Sequence, residues 1–197
     1  LKLAKKDSLR VGAHPGFEDR LNFGRVPLNI PFNELRESLA KQMNLIKFIA
    51  YQNEVTLSYI KPHGSLYHLA CTNENYALLL TELVQDDIGL MGLPNSTLEK
   101  VCKEKGIKFI SEGFADRVYQ SDGSLRKRSL DGSIHSLFKD VMNQVIELCN
   151  NQVSVFSNEV IDLKVDSICF HGDHKYADQL IHKVVTELKN KGVEVRG

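Results

Sequence analysis

The chain is 197 residues long and 42% hydrophobic, and its 25 Lys and Arg balance 25 Asp and Glu for a formal net charge of +0. That length can bury a sizeable core within one domain, while the balanced charge lacks the basic excess that marks a nucleic-acid-binding surface. Cys71, Cys102, Cys149 and Cys169 form no CxxC pair, no apolar stretch nears the roughly 20 residues that span a bilayer, and the start does not resemble a signal peptide; the expectation is a single soluble domain over 1–197 in a reducing, cytoplasmic setting, without nucleic-acid or membrane partners.

The chain opens on Leu1, Lys2, Leu3, without an initiator methionine, and an apolar run follows at once, LRVGAH (9–14). Leu35, Leu39, Met43, Ile46 and Ile49 then recur at steps of three or four, which predicts an amphipathic helix with Asn33 as its cap. The run TLSYIKP (56–62) leads into HGSLYH, and Leu79, Leu80, Leu83 and Val84 form a second helical stripe. After IGLMGL (88–93), Ser96 followed by Glu99 has the pattern of a capping box opening a helix to about Gly106. The run IKFISEGF (107–114) comes next, and Val141, Val145 and Leu148 mark a fourth helix. VSVFSNEVIDLKV (153–165) alternates apolar and polar residues about Ser157 and Asn158, as a small hairpin does. SICFHG (167–172) is a last short run, and Leu180, Ile181, Val184, Val185 and Leu188 mark a fifth helix.

Short β-rich runs alternating with helices predict βα units and a parallel sheet. In such folds the loops leaving the carboxyl ends of the strands share one face, where ligands bind. The polar residues of this chain concentrate there: AHPGFED after the first run, KPHGSLYH at the end of the second, EGFADR after the fourth and FHGD after the fifth.

His14, His63 and His171 each end an apolar run and precede glycine or proline. With Asp116 and Asp173 they form a candidate catalytic set, able to exchange protons near neutral pH or to bind a divalent metal. The other reading of a strand-end histidine is a hydrogen-bonded structural group, and the spacing matches no local metal motif. Lys61, inside an otherwise apolar run, is either an anion holder or a lysine whose stem packs while its head reaches water. The stretch FADRVYQSDGSLRKR brings Asp116, Arg117, Tyr119, Asp122, Arg126 and Arg128 into one loop, where arginine forks suit carboxylate or phosphate oxygens and Asp122 with Gly123 makes a turn. His68, His135, His174 and His182 are expected to be structural. Neither a GxxxxGK[ST] loop nor a GxGxxG fingerprint is present.

GAHPGFEDRLNFGR (12–25), KPHGSLY (61–67), FADRVYQSDGSLRKR (114–128) and DSICFHGD (166–173), in this order and separated by the expected helices, resemble the LamB/YcsF family. The resemblance covers nearly the whole chain. It implies a seven-stranded (β/α) barrel of the glycoside hydrolase/deacetylase type. Family members also carry an amino-terminal DLNCDLGE-type strand and a CGFHAGD-type strand, so the barrel is expected to lack about its first two strands here. His68 stands where the family more often has asparagine.

The resemblance further implies the A component of an ATP-dependent 5-oxoprolinase, which opens the 5-oxo-L-proline lactam to L-glutamate beside subunits B and C. ATP, with Mg²⁺, is the implied cofactor, and another divalent metal stays open, with His14, His63 and His171 as its candidates. By this analogy His14, His63, Asp116, His171 and Asp173 orient water or act as acid and base. Lys61, Tyr67, Arg25, Arg117 and Arg128 hold substrate carboxylate or phosphate. Two other readings remain at this point: a non-catalytic interaction module of the same fold, and a metal-dependent hydrolase of acylated carbohydrates.

Overall fold

All five apolar runs expected as strands contain one. The computed structural model describes residues 1–85, 87–172 and 177–195, which fall into two compact units, Leu1–Ile110 and Ser111–Gly197.

In the first unit the order is α1 (Lys2–Lys6), β1 (Val11–Ala13), α2 (Phe32–Gln52), β2 (Leu57–Ile60), α3 (Gly64–Thr72), α4 (Glu74–Thr81), β3 (Gly89–Gly92) and α5 (Thr97–Glu104). The strands pair in parallel, Val11 with Leu57 and Tyr59 with Gly89. Leu90 donates its N–H to the carbonyl of Lys108, so the chain approaching the next strand runs beside β3. Strand β3 is buried along its whole length, as strands covered on both faces are. Helix α2 turns Leu35, Leu39, Met43 and Ala50 inward, where they meet Ile60, Leu66, Leu80, Leu90 and Leu98 in one apolar cluster.

Strand β4 (Phe109–Phe114) begins at the end of the first unit and leads into the second, which continues with α6 (Phe138–Cys149), β5 (Gln152–Ser154), β6 (Val160–Asp162), β7 (Ser167–Cys169) and α7 (Ala177–Asn190). Strands β4 and β7 are parallel, with Glu112 opposite Ser167 and Phe114 opposite Cys169. The expected hairpin is present as the antiparallel pair β5–β6, and its turn holds Asn158 at φ +64°, a conformation asparagine tolerates better than most residues. Ala115, Val141, Met142, Val145, Val184 and Leu188 form this unit's core.

Parallel strands joined through helices place the chain in the mixed α/β class, and this βα repeat is the unit from which α/β barrels are built. Three local expectations change. Among the described residues there are seven helices rather than five, the additions being α1 and α3. Helix α2 starts one residue before Asn33, with Pro31 in extended conformation as its cap; proline's fixed φ and missing N–H suit the start of a helix. Helix α4 stops at Thr81, leaving Leu83 buried but outside it. The Ser96 cap holds, its side chain accepting from the Glu99 N–H, while Glu99 reaches back to the N–H of Asn95. No described helix is long and apolar enough to cross a membrane, and all four cysteines are free thiols.

Candidate active site

Each unit places candidate site side chains where its parallel strands end. In the first unit, His14 follows β1 and Lys61 and His63 follow β2. The two segments are stitched together: the Lys61 N–H donates to the Ala13 carbonyl at 2.9 Å and the His63 N–H to that of Pro15 at 2.8 Å. His14 Nδ1 lies 2.6 Å from the Lys61 carbonyl, His63 Nδ1 2.9 Å from His14 Nε2, and His63 Nε2 2.7 Å from the Phe23 carbonyl. Carbonyls only accept, so His14 Nδ1 and His63 Nε2 both carry hydrogens. A hydrogen bond between the two facing nitrogens then requires a third proton, and the hydrogen-bonded pair is an imidazole with an imidazolium.

Glycines fit this arrangement closely. Gly64, at φ +57°, would place a Cβ 2.3 Å from the Gly24 carbonyl oxygen. That same carbonyl accepts from the Ser65 N–H at 2.9 Å and from Ser65 Oγ at 3.0 Å. The loop carrying Phe23 is thereby locked against the start of α3. Lys61 is half-buried and Tyr67 buried on α3, whereas Arg25 is exposed, its guanidinium 5.0 Å from the centre of the Phe23 ring.

In the second unit, Asp116 follows β4 and His171 follows β7. His171 Nδ1 is 2.9 Å from Oδ1 and 3.0 Å from Oδ2 of Asp116, so this nitrogen bears a hydrogen. The ring stacks on Phe114, at 5.4 Å between centroids and 19° between planes. Burial pushes the Asp116 carboxyl up, but the hydrogen bond and charge of His171, with backbone N–H donors of Asp116 and His171, outweigh it and hold the carboxyl below its ordinary value.

Arg117 is buried, and its guanidinium donates to the carbonyls of Ser133 and Arg126, tying down the loop that follows β4. Arg128 is half-buried, and its carbonyl accepts from Ser133 Oγ at 3.2 Å. The Asp122–Gly123 turn is as expected: Asp122 Oδ1 accepts from the Ser124 N–H at 2.9 Å, with Gly123 at φ +79°. Asp173 and His174 lie outside the described residues. Among the described residues, no three His, Cys, Asp or Glu side chains gather as a metal ion would require. His14 and His63 are bonded to each other, and His171 to Asp116.

One residue without a role in the sequence-based expectations is Gln144 of α6, buried with its carboxamide against the chain around Asp116. Its signal was available: a glutamine on the same helical face as Val141, Val145 and Leu148, where an apolar residue is the rule.

Parallel strands whose carboxyl ends carry histidine and aspartate side chains have the arrangement in which α/β proteins build their ligand sites. A profile of the LamB/YcsF family matches residues 1–197. The chain belongs to the LamB/YcsF family. It is 37% identical over 196 residues to the 5-oxoprolinase A subunit of Histophilus somni (strain 129Pt), covering 98% of this chain and 79% of that protein. It is 35% identical to the corresponding 5-oxoprolinase protein of Haemophilus influenzae (strain PittEE), covering 99% of this chain and 81% of that protein. The crystal structure of the lactam utilization protein from Thermus thermophilus is similar with a TM-score of 0.88 at 27% identity, over 99% of this chain and 79% of that one.

Proposed function

We propose that the chain acts as the A component of an ATP-dependent 5-oxoprolinase, opening 5-oxo-L-proline to L-glutamate in concert with subunits B and C. The observation that carries the reading is the Asp116–His171 pair at the strand ends, supported by relatives named as the A component of 5-oxoprolinase.

The lactam is an unstrained amide, and its carbonyl is a poor electrophile. Transfer of the ATP γ-phosphoryl to the amide oxygen gives a carbon that water attacks readily. The C–N bond then breaks as the ring nitrogen takes a proton and becomes the amine of glutamate, leaving an acyl phosphate that a second water cleaves to carboxylate and phosphate; overall, 5-oxoproline, ATP and two waters yield glutamate, ADP and phosphate. The protein must supply a base for water, a proton for the departing nitrogen and cationic groups for carboxylate and phosphate. His171, with Nδ1 on Asp116, offers Nε2 as the base, and Asp116 fixes the tautomer. His14 and His63 are proposed for the same acid–base chemistry from the family motif alone. Lys61, Arg25 and Arg128 are the proposed holders of carboxylate or phosphate, with Tyr67 lining the same segment as His63 and Arg117 organising the loop after β4. Asp173 is proposed as an acid–base residue from the family motif alone. Mg²⁺ accompanies ATP as part of the substrate.

The test is 5-oxoproline-dependent ATP hydrolysis and glutamate release by the chain with subunits B and C. His171→Ala and Asp116→Asn are expected to lower kcat by about 10²–10⁴-fold while the folded spectrum is retained. Undiminished turnover in folded His171→Ala would remove this residue from the chemistry.

A further inference from the structure

We propose that Gln144, backed by His135, is a positioning residue that aims the Asp116 carboxylate at His171; this deepens, and rests on, the acid–base reading of that pair. Gln144 Nε2 donates to the carbonyls of Phe114 at 2.6 Å, Arg117 at 2.7 Å and, at a longer 3.3 Å, Ala115. The remaining carbonyl of that run, Asp116, accepts from the backbone N–H of His135 at 3.0 Å. All four successive carbonyls flanking the carboxylate are therefore held by two residues. The two are themselves joined, His135 Nε2 lying 2.9 Å from Gln144 Oε1.

Proton bookkeeping fixes the directions. The three carbonyls can only accept, so the NH₂ end of Gln144 faces them and its oxygen faces His135. His135 must then carry its hydrogen on Nε2. Turning the carboxamide over would set oxygen against carbonyl oxygens and strand buried acceptors, which costs several times an ordinary hydrogen bond. The amide is locked in one orientation, and with it the backbone from Phe114 to Arg117. Because that segment also carries Phe114, on which the His171 ring stacks, both partners of the Asp116–His171 bond are placed by one side chain. Apolar packing of α6 against the core needs no amide here, as Val141, Val145 and Leu148 already bury that face.

Gln144→Met keeps the length and shape of the side chain and removes its donors. In the wild-type chain, ¹⁵N-edited NMR of labelled histidine is expected to show His171 as a single Nδ1–H tautomer with a slowly exchanging ring proton. In folded Gln144→Met that proton is expected to exchange at least about tenfold faster and the ring to populate both tautomers, as a merely structural role would not require. In the assembled enzyme, kcat is expected to fall about 10²-fold with KM changed less than about threefold. A folded variant with wild-type tautomer, exchange and kcat overturns the proposal. If Gln144→Met does not fold, Gln144→Leu removes the same donors with a different apolar shape. The same faster exchange and mixed tautomers are then expected, and a wild-type His171 signal overturns the inference. Absence of turnover in the wild-type assembly would defeat the catalytic reading alone, because the histidine spectrum decides the positioning without any assay.

Discussion

The His14–His63 pair is defined by hydrogens rather than by distances alone. With Lys61 and Phe23 carbonyls at its outer ends, the pair holds three ring hydrogens when its inner bond is made. Labelled-histidine NMR followed as pH is lowered is expected to count three N–H groups over these four nitrogens before a fourth appears; passage straight from two to four would mean that the inner contact is not a hydrogen bond. Gly64 sets a second residue-scale constraint. Gly64→Ala puts a Cβ into the Gly24 carbonyl at a left-handed φ, and the expected loss of roughly 1–3 kcal/mol in chemical denaturation follows from that strain. Both histidines could be named from the sequence because each interrupts an apolar run. Their contact, joining positions 49 residues apart, could not.

At the scale of elements, periodicity was legible wherever one face is buried. Helices α2, α5, α6 and α7 and all five parallel strands lie where their apolar spacing places them. Helix α3 was hidden because GSLYHLACT follows a strand and opens on glycine, so its polar start resembles a loop; Leu66, Ala70 and Cys71 bury one of its faces. The first turn of α5 depends on Ser96, which satisfies the Glu99 N–H. Ser96→Ala is expected to cost about 1 kcal/mol in urea unfolding. Leu39→Ala on α2, at a fully buried position, is expected to cost about 2–5 kcal/mol by leaving a cavity. An effect of Leu39→Ala no larger than that of Ser96→Ala would mean that the first unit's core collapses around the missing side chain.

Over the whole molecule, stability should fall toward both ends of the pH scale, through different groups. Burial pushes the Cys102 thiol up to about 11 and raises the Tyr119 hydroxyl above its ordinary value as well. Each stays neutral in the folded chain after its unfolded counterpart has begun to ionise. Their contribution is thus complete below the unfolded values and is lost as pH rises past them. Asp116 acts in the opposite sense: its lowered carboxyl contributes above the ordinary carboxylate value and loses that contribution as pH falls through the folded one. Denaturation midpoints between pH 3 and 11 should therefore decline at both limits, and Asp116→Asn should flatten the acid limb while leaving the alkaline one.

The chain by itself determined the α/β class, the order of the βα units, the family and the strand-end positions of His14, Lys61, His63, Asp116 and His171, because hydrophobic periodicity and turn chemistry act over a few residues. Which nitrogen meets which oxygen was decided only in three dimensions. Arg117 turns inward to carbonyls of its own loop, His14 bonds His63, and Gln144 reaches back about thirty residues to the chain around Asp116. Such polar contacts form once the apolar faces have packed, since only burial makes an unmet donor or acceptor costly enough to choose a single partner.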